Sequence, residues 1–161
     1  MYDRVAAGDH SRTASRYDGG MHHVEEILVP TSGSGLHEFT SRVVDIVHAA
    51  GIVCGCCTVF VRHTSASLLI QENADPSARR DMENWLNRLA PEGDALYTHV
   101  EEGPDDMPAH IKSLLTDVSL SIPVLDGRLV LGTWQGIYLW EHRRARSSRA
   151  VVVSISGDPA A

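Results

Sequence analysis

The amino-acid sequence predicts an α+β fold in which two mainly antiparallel sheets form a β-sandwich and three helices interleave with the strands. Three observations predict it. Apolar runs rich in β-branched residues recur along the chain, three segments carry apolar residues at helical spacing, and Asp126-Gly127 is a two-residue hairpin signature. The 161 residues suit one domain with one core, which we place at residues 21–158.

The N-terminal part of the chain is predicted to contain a tail, a strand and a helix. Residues 1–20 lack periodicity and are expected to form a disordered extension. Residues 24–29 are predicted to form the first strand. Apolar residues between 36 and 50 follow helical spacing, which predicts a helix with Ser34 as its N-cap and Gly51 as its stop signal.

A long apolar strand carrying three cysteines comes next. Residues 52–62 are predicted to form this strand, and residues 68–70 another. Cys54 and Cys56 point to one face and Cys57 to the other, so we interpret them as small buried residues and not as a metal site. Three crowded cysteines also favour reduced thiols in a cytoplasmic protein.

Two further helices are predicted, with a short strand at residues 97–101 between them. One begins at Pro76 with Asp75 as its cap, and the other begins near Asp105 or Asp106. Each has an apolar stripe that we expect to be buried. The stripes are Met82, Trp85, Leu86 and Leu89 in the first helix, and Met107, Ile111, Leu114 and Leu115 in the second.

The rest of the chain is predicted to be β-structure. The predicted strands are residues 120–124, 129–131, 136–141 and 149–155. Arginines 143, 144 and 146 lie in the turn before the last strand and are expected to be solvated.

Charge and hydropathy exclude several classes of partner. The net charge of −7 argues against general nucleic-acid binding, because phosphate contacts need clustered basic residues. No run approaches the roughly eighteen apolar residues of a membrane span, and residues 1–20 lack the apolar centre of a signal peptide. We therefore expect no nucleic-acid and no membrane partner.

Three histidines are candidate metal ligands. His63 lies at a strand end, His99 in a predicted short strand and His110 on a helix. Three histidines with an open fourth position suit a catalytic divalent ion, and Asp106, four residues before His110, could orient its imidazole. Their spacing matches no local metal motif. The alternative for His110 is therefore a buried core histidine whose ring nitrogens are hydrogen-bonded.

Two other features suggest substrate contacts. Trp134 and Gln135 offer an aromatic platform and an amide that could read a heterocycle edge, although a β-bulge with a core tryptophan explains the same residues. Arg149 could hold a phosphate, because its guanidinium matches the phosphate oxygens.

Several short motifs occur in an order that resembles a known family. They are HTSA at residues 63–66, NADP at 73–76, DMPAHI at 106–111, DG at 126–127, LGTWQ at 131–135, and the single residues Asp81, His99, Glu141 and Arg149. Over about residues 22–157 the chain resembles the YjbQ-like family, which is also named secondary thiamine-phosphate synthase. The HTSA and GTWQ elements together are specific to it.

The resemblance implies a fold, an assembly and an activity. It implies an α+β fold with a β-sandwich, a homotrimer, and a pocket that gathers His63, His99 and His110 with a bound metal or anion. The ascribed activity, regarded as secondary, joins hydroxymethylpyrimidine diphosphate to thiazole phosphate and releases pyrophosphate. The expected partner is therefore a small phosphorylated metabolite.

The residues are assigned roles on this basis. His63 and His110, with Asp106, are the candidate catalytic residues, because an imidazole titrates near neutral pH and can protonate a leaving oxygen. A zinc or magnesium ion on His63, His99 and His110 would stabilise the departing diphosphate. The candidate substrate-binding residues are Thr64, Ser65, Asn73, Trp134, Gln135 and Arg149.

Two other functions fit the same residues. One is a metal-dependent hydrolase that acts on a small phosphorylated or amide metabolite through an activated water. The other is a non-catalytic trimeric protein that binds a metabolite or anion. The acid–histidine pairs favour an enzyme over a passive anion pocket.

Overall fold

The structure is a computed structural model that describes residues 12–17 and 20–159. Within these residues it has three helices and nine strands. The helices are α1 (Thr40–Ala50), α2 (Pro76–Leu89) and α3 (Asp106–Leu114). The strands are β1 (Arg12–Tyr17), β2 (Gly20–Thr31), β3 (Gly35–Glu38), β4 (Ile52–Val61), β5 (Ala66–Glu72), β6 (Ser119–Leu125), β7 (Arg128–Leu129), β8 (Gln135–Glu141) and β9 (Ser147–Pro159).

The strands form two antiparallel sheets. The larger has the order β1-β2-β9-β4-β6-β7, and the smaller has the order β3-β8-β5. Every second residue of the central strands is buried, for example Val151, Val153 and Ile155 of β9, and these pack with Ile137 and Leu139 of β8. The predicted α+β fold with two antiparallel sheets is therefore confirmed.

The first helix is shorter than predicted. Residues Gly35–Glu38 form β3, which pairs with β8, so the helix begins at Thr40 with Phe39 as its N-cap and Ser34 is not the cap. Pairing with β8 satisfies the backbone of this segment, which outweighs the helical spacing of its apolar residues. The predicted stop at Gly51 is confirmed, since this residue adopts a left-handed φ of 68°.

The second helix starts as predicted but leaves most of its apolar stripe exposed. Asp75 accepts a hydrogen bond from the Ser77 amide at 2.7 Å, and Pro76 occupies the first turn. Leu86 is buried, whereas the Trp85 side chain is 58% exposed and Leu89 is also exposed. The prediction of a buried stripe is therefore wrong for α2.

The third helix is buried on a different face from the predicted stripe. Its buried residues are Asp106, Pro108, Ala109, Lys112 and Ser113, whereas Leu114 is 83% exposed and Leu115 is also exposed. The Ser113 hydroxyl donates to the Ala66 carbonyl at 3.3 Å, so small residues bring the helix close to the backbone at the start of β5. Asp105 is the N-cap residue, but its side chain makes no capping hydrogen bond.

The N-terminal expectation needs correction. Residues Arg12–Tyr17, within the stretch 1–20 expected to be disordered, form a strand that pairs with β2 along its whole length. Backbone pairing at the edge of a sheet does not require an apolar face, so periodicity does not reveal such a strand. Residues 1–11 and 18–19 lie outside the described residues.

The predicted strand at residues 97–101 is absent from the described structure. These residues form an irregular loop with local turns, such as the hydrogen bond from the Tyr97 amide to the Asp94 carbonyl at 3.0 Å. Among the described residues the segment pairs with no strand of either sheet, so no ladder completes its backbone hydrogen bonds.

The hairpin at Asp126-Gly127 is confirmed, with φ angles of 51° and 70° typical of a type I′ turn. The return strand is only Arg128–Leu129, and residues 130–134 lie in a loop rather than a bulged strand. The Gln135 side chain closes this loop by accepting from the Gly132 amide at 2.7 Å.

The three cysteines are free, and they differ in exposure. Cys57 is buried as predicted, but Cys54 is exposed and Cys56 is half-buried because both lie on the outer face of the larger sheet. Within the described part of the chain, no helix is long and apolar enough to cross a membrane.

Candidate functional site

A cleft of about 760 Å³ opens between the β4–β5 loop, the start of α3 and the β8–β9 turn. The β4–β5 loop contributes His63, Thr64 and Ser65, and α3 contributes Asp106 and His110. Four arginines also line the cleft. They are Arg62, Arg143, Arg146 and Arg149. This composition suits an anionic ligand, since guanidinium groups match carboxylate and phosphate oxygens.

Two histidines converge on one carboxylate at the edge of this cleft. Asp106 Oδ2 lies 2.9 Å from His99 Nε2 and 3.3 Å from His110 Nε2. One ligand atom from each of the three residues lies within 4.8 Å of the others. Two imidazole nitrogens and one carboxylate oxygen at this spacing could hold a divalent ion and leave other coordination positions open.

Neighbouring groups orient this cluster. His110 Nδ1 lies 3.2 Å from the Thr64 carbonyl, so Nδ1 carries the proton and Nε2 is free to bind a metal. Arg143 forms an ion pair with Asp106 Oδ1 and donates to the Glu102 carbonyl. Asp106 Oδ2 is buried and lacks a hydrogen bond, although it faces both imidazoles, and a bound cation would satisfy it.

His63 lines the same cleft but has other contacts. Its Nε2 lies 2.6 Å from Arg149 Nη1, and its Nδ1 accepts from the Ser65 amide at 3.0 Å. A neutral imidazole has only one acceptor nitrogen, so it cannot accept from both of these donors at once. Burial lowers the pKa of His63, and the adjacent Arg149 charge lowers it further, so the ring is neutral near neutral pH.

The geometry corrects the predicted set of metal ligands. His99 and His110 come together as expected, but the third member of the group is Asp106 and not His63. Asp106 was expected to orient His110 and to act with it in catalysis, and not to bind the metal. Its buried position at the start of α3 places its second oxygen between the two rings.

Glu141 holds Arg149 in place. The buried carboxylate accepts from Arg149 Nε at 2.6 Å and Nη2 at 2.8 Å, and also from the Thr31 hydroxyl and the Arg143 amide. Burial acts to raise the pKa of Glu141, but the hydrogen bonds from Arg149 and the Arg143 amide hold it below its ordinary value. The bidentate pair leaves Arg149 Nη1 directed at His63.

Sequence reasoning gave no role in the site to Glu141 and Arg143. Glu141 entered only as part of the family motif, and Arg143 was expected to be solvated. Arg143 instead contacts Asp105 at 3.3 Å and Asp106. The sequence signals for this contact were the arginine-rich turn and the adjacent aspartates. No local sequence pattern indicates that these two segments meet, because Arg143 and Asp106 are 37 residues apart.

Three predicted substrate-binding residues lie away from the cleft. In the β5–β8 pairing, Ala66 lies opposite Glu141 at the cleft end, whereas Glu72 lies opposite Gln135 at the other end. Six residues of strand separate the two ends by about 20 Å. Asn73 and Trp134, joined by a backbone hydrogen bond of 2.9 Å, share the far end with Gln135.

Trp134 therefore does not line the histidine cleft of this chain. Its side chain is 65% exposed, so the alternative of a core tryptophan is also wrong. Thr64 and Ser65 do line the cleft, as does Arg149.

Comparison with known proteins places the chain beside one group. The model of the protein family described as "UPF0047 protein YjbQ-like" matches residues 25–158. A UPF0047 protein of Synechocystis sp. is 52% identical over 136 residues, which cover 84% of this chain and 92% of that protein. The UPF0047 protein YjbQ of Salmonella typhimurium is 41% identical over 139 residues, which cover 86% of this chain and 100% of that protein.

Solved structures resemble the fold over most of its length. A crystal structure of a protein of unknown function from Sulfolobus solfataricus has a TM-score of 0.79 at 27% identity, covering 86% of this chain and 99% of that chain. A protein of the yjbq/upf0047 family from Clostridium acetobutylicum has a TM-score of 0.74 at 39% identity, covering 81% of this chain and 98% of that chain.

Proposed function

The chain belongs to the YjbQ-like UPF0047 family, and we propose that it is a metal-dependent enzyme that acts on a small phosphorylated metabolite in the arginine-lined cleft. The observation that carries the proposal is the position of Asp106 Oδ2, which is buried between His99 Nε2 and His110 Nε2 at one side of this cleft. Side chains that could bind a cation and side chains that could bind an anion are therefore found together at one cavity.

A divalent ion would be held by His99, Asp106 and His110. Two imidazole nitrogens favour zinc over magnesium, which prefers oxygen ligands. Such an ion supplies Lewis-acid stabilisation to a departing phosphate oxygen, or lowers the pKa of a bound water.

The residues of the chain bind and orient the anion. Arg149, held by Glu141, and the exposed Arg146 present guanidinium groups to the cleft for the substrate phosphate. Burial and the Arg149 charge lower the pKa of His63, so its neutral ring would accept a proton from a phosphate oxygen of the bound substrate, or return it there, at its one unprotonated nitrogen. The backbone amide of Ser65, which donates to His63 Nδ1, fixes the ring orientation.

The specific reaction that we propose is thiamine-phosphate synthesis as a secondary activity. It joins hydroxymethylpyrimidine diphosphate to thiazole phosphate and releases pyrophosphate. Both substrates are anions, which the four arginines of the cleft support. The separation of Trp134 from the cleft gives no support to stacking of the pyrimidine on this residue within one chain.

The test is formation of thiamine phosphate by zinc-loaded protein. We expect turnover in the wild type and in His48→Gln, a matched control because His48 is exposed on α1. We expect its loss in His63→Gln and His110→Gln. If both cleft variants fold and retain wild-type turnover, the proposal is wrong.

The alternative reaction is hydrolysis of a small phosphorylated or amide metabolite. The open cleft beside His99, Asp106 and His110 favours hydrolysis, because water can reach an ion held by these residues. Zinc-dependent phosphate release from a panel of phosphomonoesters, without thiamine phosphate formation, would select the hydrolase. Tight ligand binding with no turnover on either panel would select a non-catalytic binding protein.

We also propose that the chain assembles as a homotrimer. The apolar residues of α2 and α3 that one chain leaves exposed, among them Trp85 and Leu114, would be covered by neighbouring copies. Light scattering should give three times the chain mass of 17.6 kDa. A monomeric mass for the wild type would refute the assembly, and Trp85→Glu with Leu114→Glu should reduce the mass to that of one chain.

We place this enzyme in the cytoplasm, without a nucleic-acid or membrane partner. The cytoplasmic location is supported by the three neighbouring cysteines, which are free and suit a reducing compartment. The net charge of −7 disfavours binding to phosphate backbones. Cell fractionation that finds the protein in the membrane pellet would contradict the location.

A further inference from the structure

A second cleft, of about 360 Å³, adjoins the group formed by His99, Asp106 and His110. It lies between the loop of residues 93–104 and the first turn of α3. Its lining includes Tyr97, Val100, Pro104, Met107, Asp94 and His99. His99 belongs both to this lining and to the group around Asp106, so the two clefts meet at the candidate metal site.

The loop that forms this cleft is held in shape although it has no regular secondary structure. Asp94 Oδ1 accepts from the Leu96 amide at 2.9 Å, and the Asp106 amide donates to the Gly103 carbonyl at 3.3 Å. Arg143 Nη2 donates to the Glu102 carbonyl at 2.7 Å while the same guanidinium pairs with Asp106. The loop is therefore fixed to Asp106, which would hold the divalent ion, and the cleft has a defined wall.

The two clefts differ in charge and polarity. The first is lined by four arginines, whereas the second has no lysine or arginine in its lining. Tyr97, Val100, Pro104 and Met107 present apolar surface to the second cleft, and Asp94 is its carboxylate. A phosphate is therefore favoured in the first cleft and opposed by Asp94 in the second, which instead suits a flat apolar ring that carries an N–H donor.

We infer that the second cleft is a substrate subsite that takes an amino-substituted heteroaromatic ring, while the arginine cleft takes the phosphate and the metal group lies between them. This inference deepens the proposed function. It rests on that function for the binding of a phosphate in the arginine cleft and of a metal beside it. The ring itself needs only the loop of residues 93–104 and Met107, so its binding can be measured separately.

The experiment uses the full chain labelled with ¹⁵N and three probes: 2-aminopyridine, pyridine and inorganic pyrophosphate. We expect 2-aminopyridine at millimolar concentration to shift amide signals of residues 93–107, and pyrophosphate to shift those of residues 63–65 and 143–149. Pyridine lacks the N–H donors and should bind more weakly than 2-aminopyridine.

Two variants and one matched control locate the ring. Val100→Trp fills the cleft and should weaken 2-aminopyridine binding about tenfold or more, a loss of about 1.4 kcal/mol. Asp94→Asn keeps an oxygen that can accept from the Leu96 amide but replaces the other carboxylate oxygen, the acceptor available to the ring, with an NH₂ donor, so it should abolish the preference for 2-aminopyridine over pyridine. Leu96→Trp, in the same loop but outside the cleft lining, should bind both rings as the wild type does.

The outcomes separate this inference from the proposed function. If 2-aminopyridine shifts no signal in residues 93–107, or if Val100→Trp and Leu96→Trp bind it equally, the subsite is wrong even when pyrophosphate binds. If pyrophosphate fails to bind in zinc-loaded protein while the ring binds as described, the subsite stands as a ring site and the proposed function fails.

Discussion

Arg149 donates two hydrogen bonds to Glu141, at 2.6 and 2.8 Å, within the buried end of β8 and the start of β9. The pair sets the position of the third guanidinium nitrogen, which lies 2.6 Å from His63 Nε2. A fully buried carboxylate thus determines where the cleft presents a cation and how one of its histidines is held.

Replacement of Glu141 should destabilise the fold and loosen Arg149. Glu141→Gln leaves a buried guanidinium without its counter-charge, which should lower the free energy of unfolding by about 3 kcal/mol in urea titrations. Thr31→Val removes only one hydroxyl bond to the same carboxylate and should cost about 1 kcal/mol. Equal losses in the two variants would mean that the ion pair contributes no more than a neutral hydrogen bond.

Acid should destabilise the protein through His142. Burial first, and the Lys112 charge second, lower the pKa of this histidine from 6.5 to about 3, and its Nε2 lies 2.8 Å from the Ser67 hydroxyl. The unfolded chain takes up the proton below about pH 6.5, whereas the folded chain does so only near pH 3, so stability falls as the pH is lowered between these values. At pH 5 the cost should be about 2 kcal/mol.

The control for this prediction is His142→Gln, which cannot titrate. Its unfolding free energy should depend less on pH between 7 and 5 than that of the wild type. Glu141 contributes acid sensitivity to both proteins because its folded pKa is also lowered, so the difference between them isolates His142. Parallel pH profiles for the two proteins would contradict the assignment.

The cysteines should react at different rates. Burial, with the neighbouring Cys56 charge, raises the pKa of the Cys57 thiol to about 12, whereas Cys54 is exposed. Since the thiolate is the reactive form, iodoacetamide at pH 8 should label Cys54 in the native protein and Cys57 only after unfolding. Peptide mass spectrometry measures this labelling directly. Labelling of Cys57 in the native protein would show that this residue of β4 is accessible to the reagent, which would contradict its burial.

Local signals in the sequence predicted much of the fold. Asp75 before Pro76, Gly51 after the first helix and Asp126-Gly127 in the hairpin each act within a few residues, and each has the predicted role. The apolar stripes of α2 and α3 were less informative. Periodicity shows that a face is apolar but not which element covers it, so Trp85 and Leu114 proved exposed.

The candidate site depends on contacts that the sequence does not encode locally. The motifs identified His63, His99 and His110, but the partner of His63 lies 86 residues away, and His99 and His110 group with Asp106 and not with His63. Trp134 and Glu141 are near in sequence, yet they lie at opposite ends of one extended segment. The sequence therefore predicted that Trp134 would share a cavity with the histidines, but one chain does not form such a cavity.

The most direct test of the account is zinc binding by the purified chain, measured by titration calorimetry in four variants. The account predicts one ion per chain in the wild type, with affinity lowered by more than about tenfold in His99→Gln and His110→Gln and unchanged in His48→Gln. His63→Gln should still bind the ion, because His63 contacts Arg149 and not the metal group. A wild type that binds no divalent ion, or a His63→Gln variant that loses zinc as completely as His110→Gln, would contradict it.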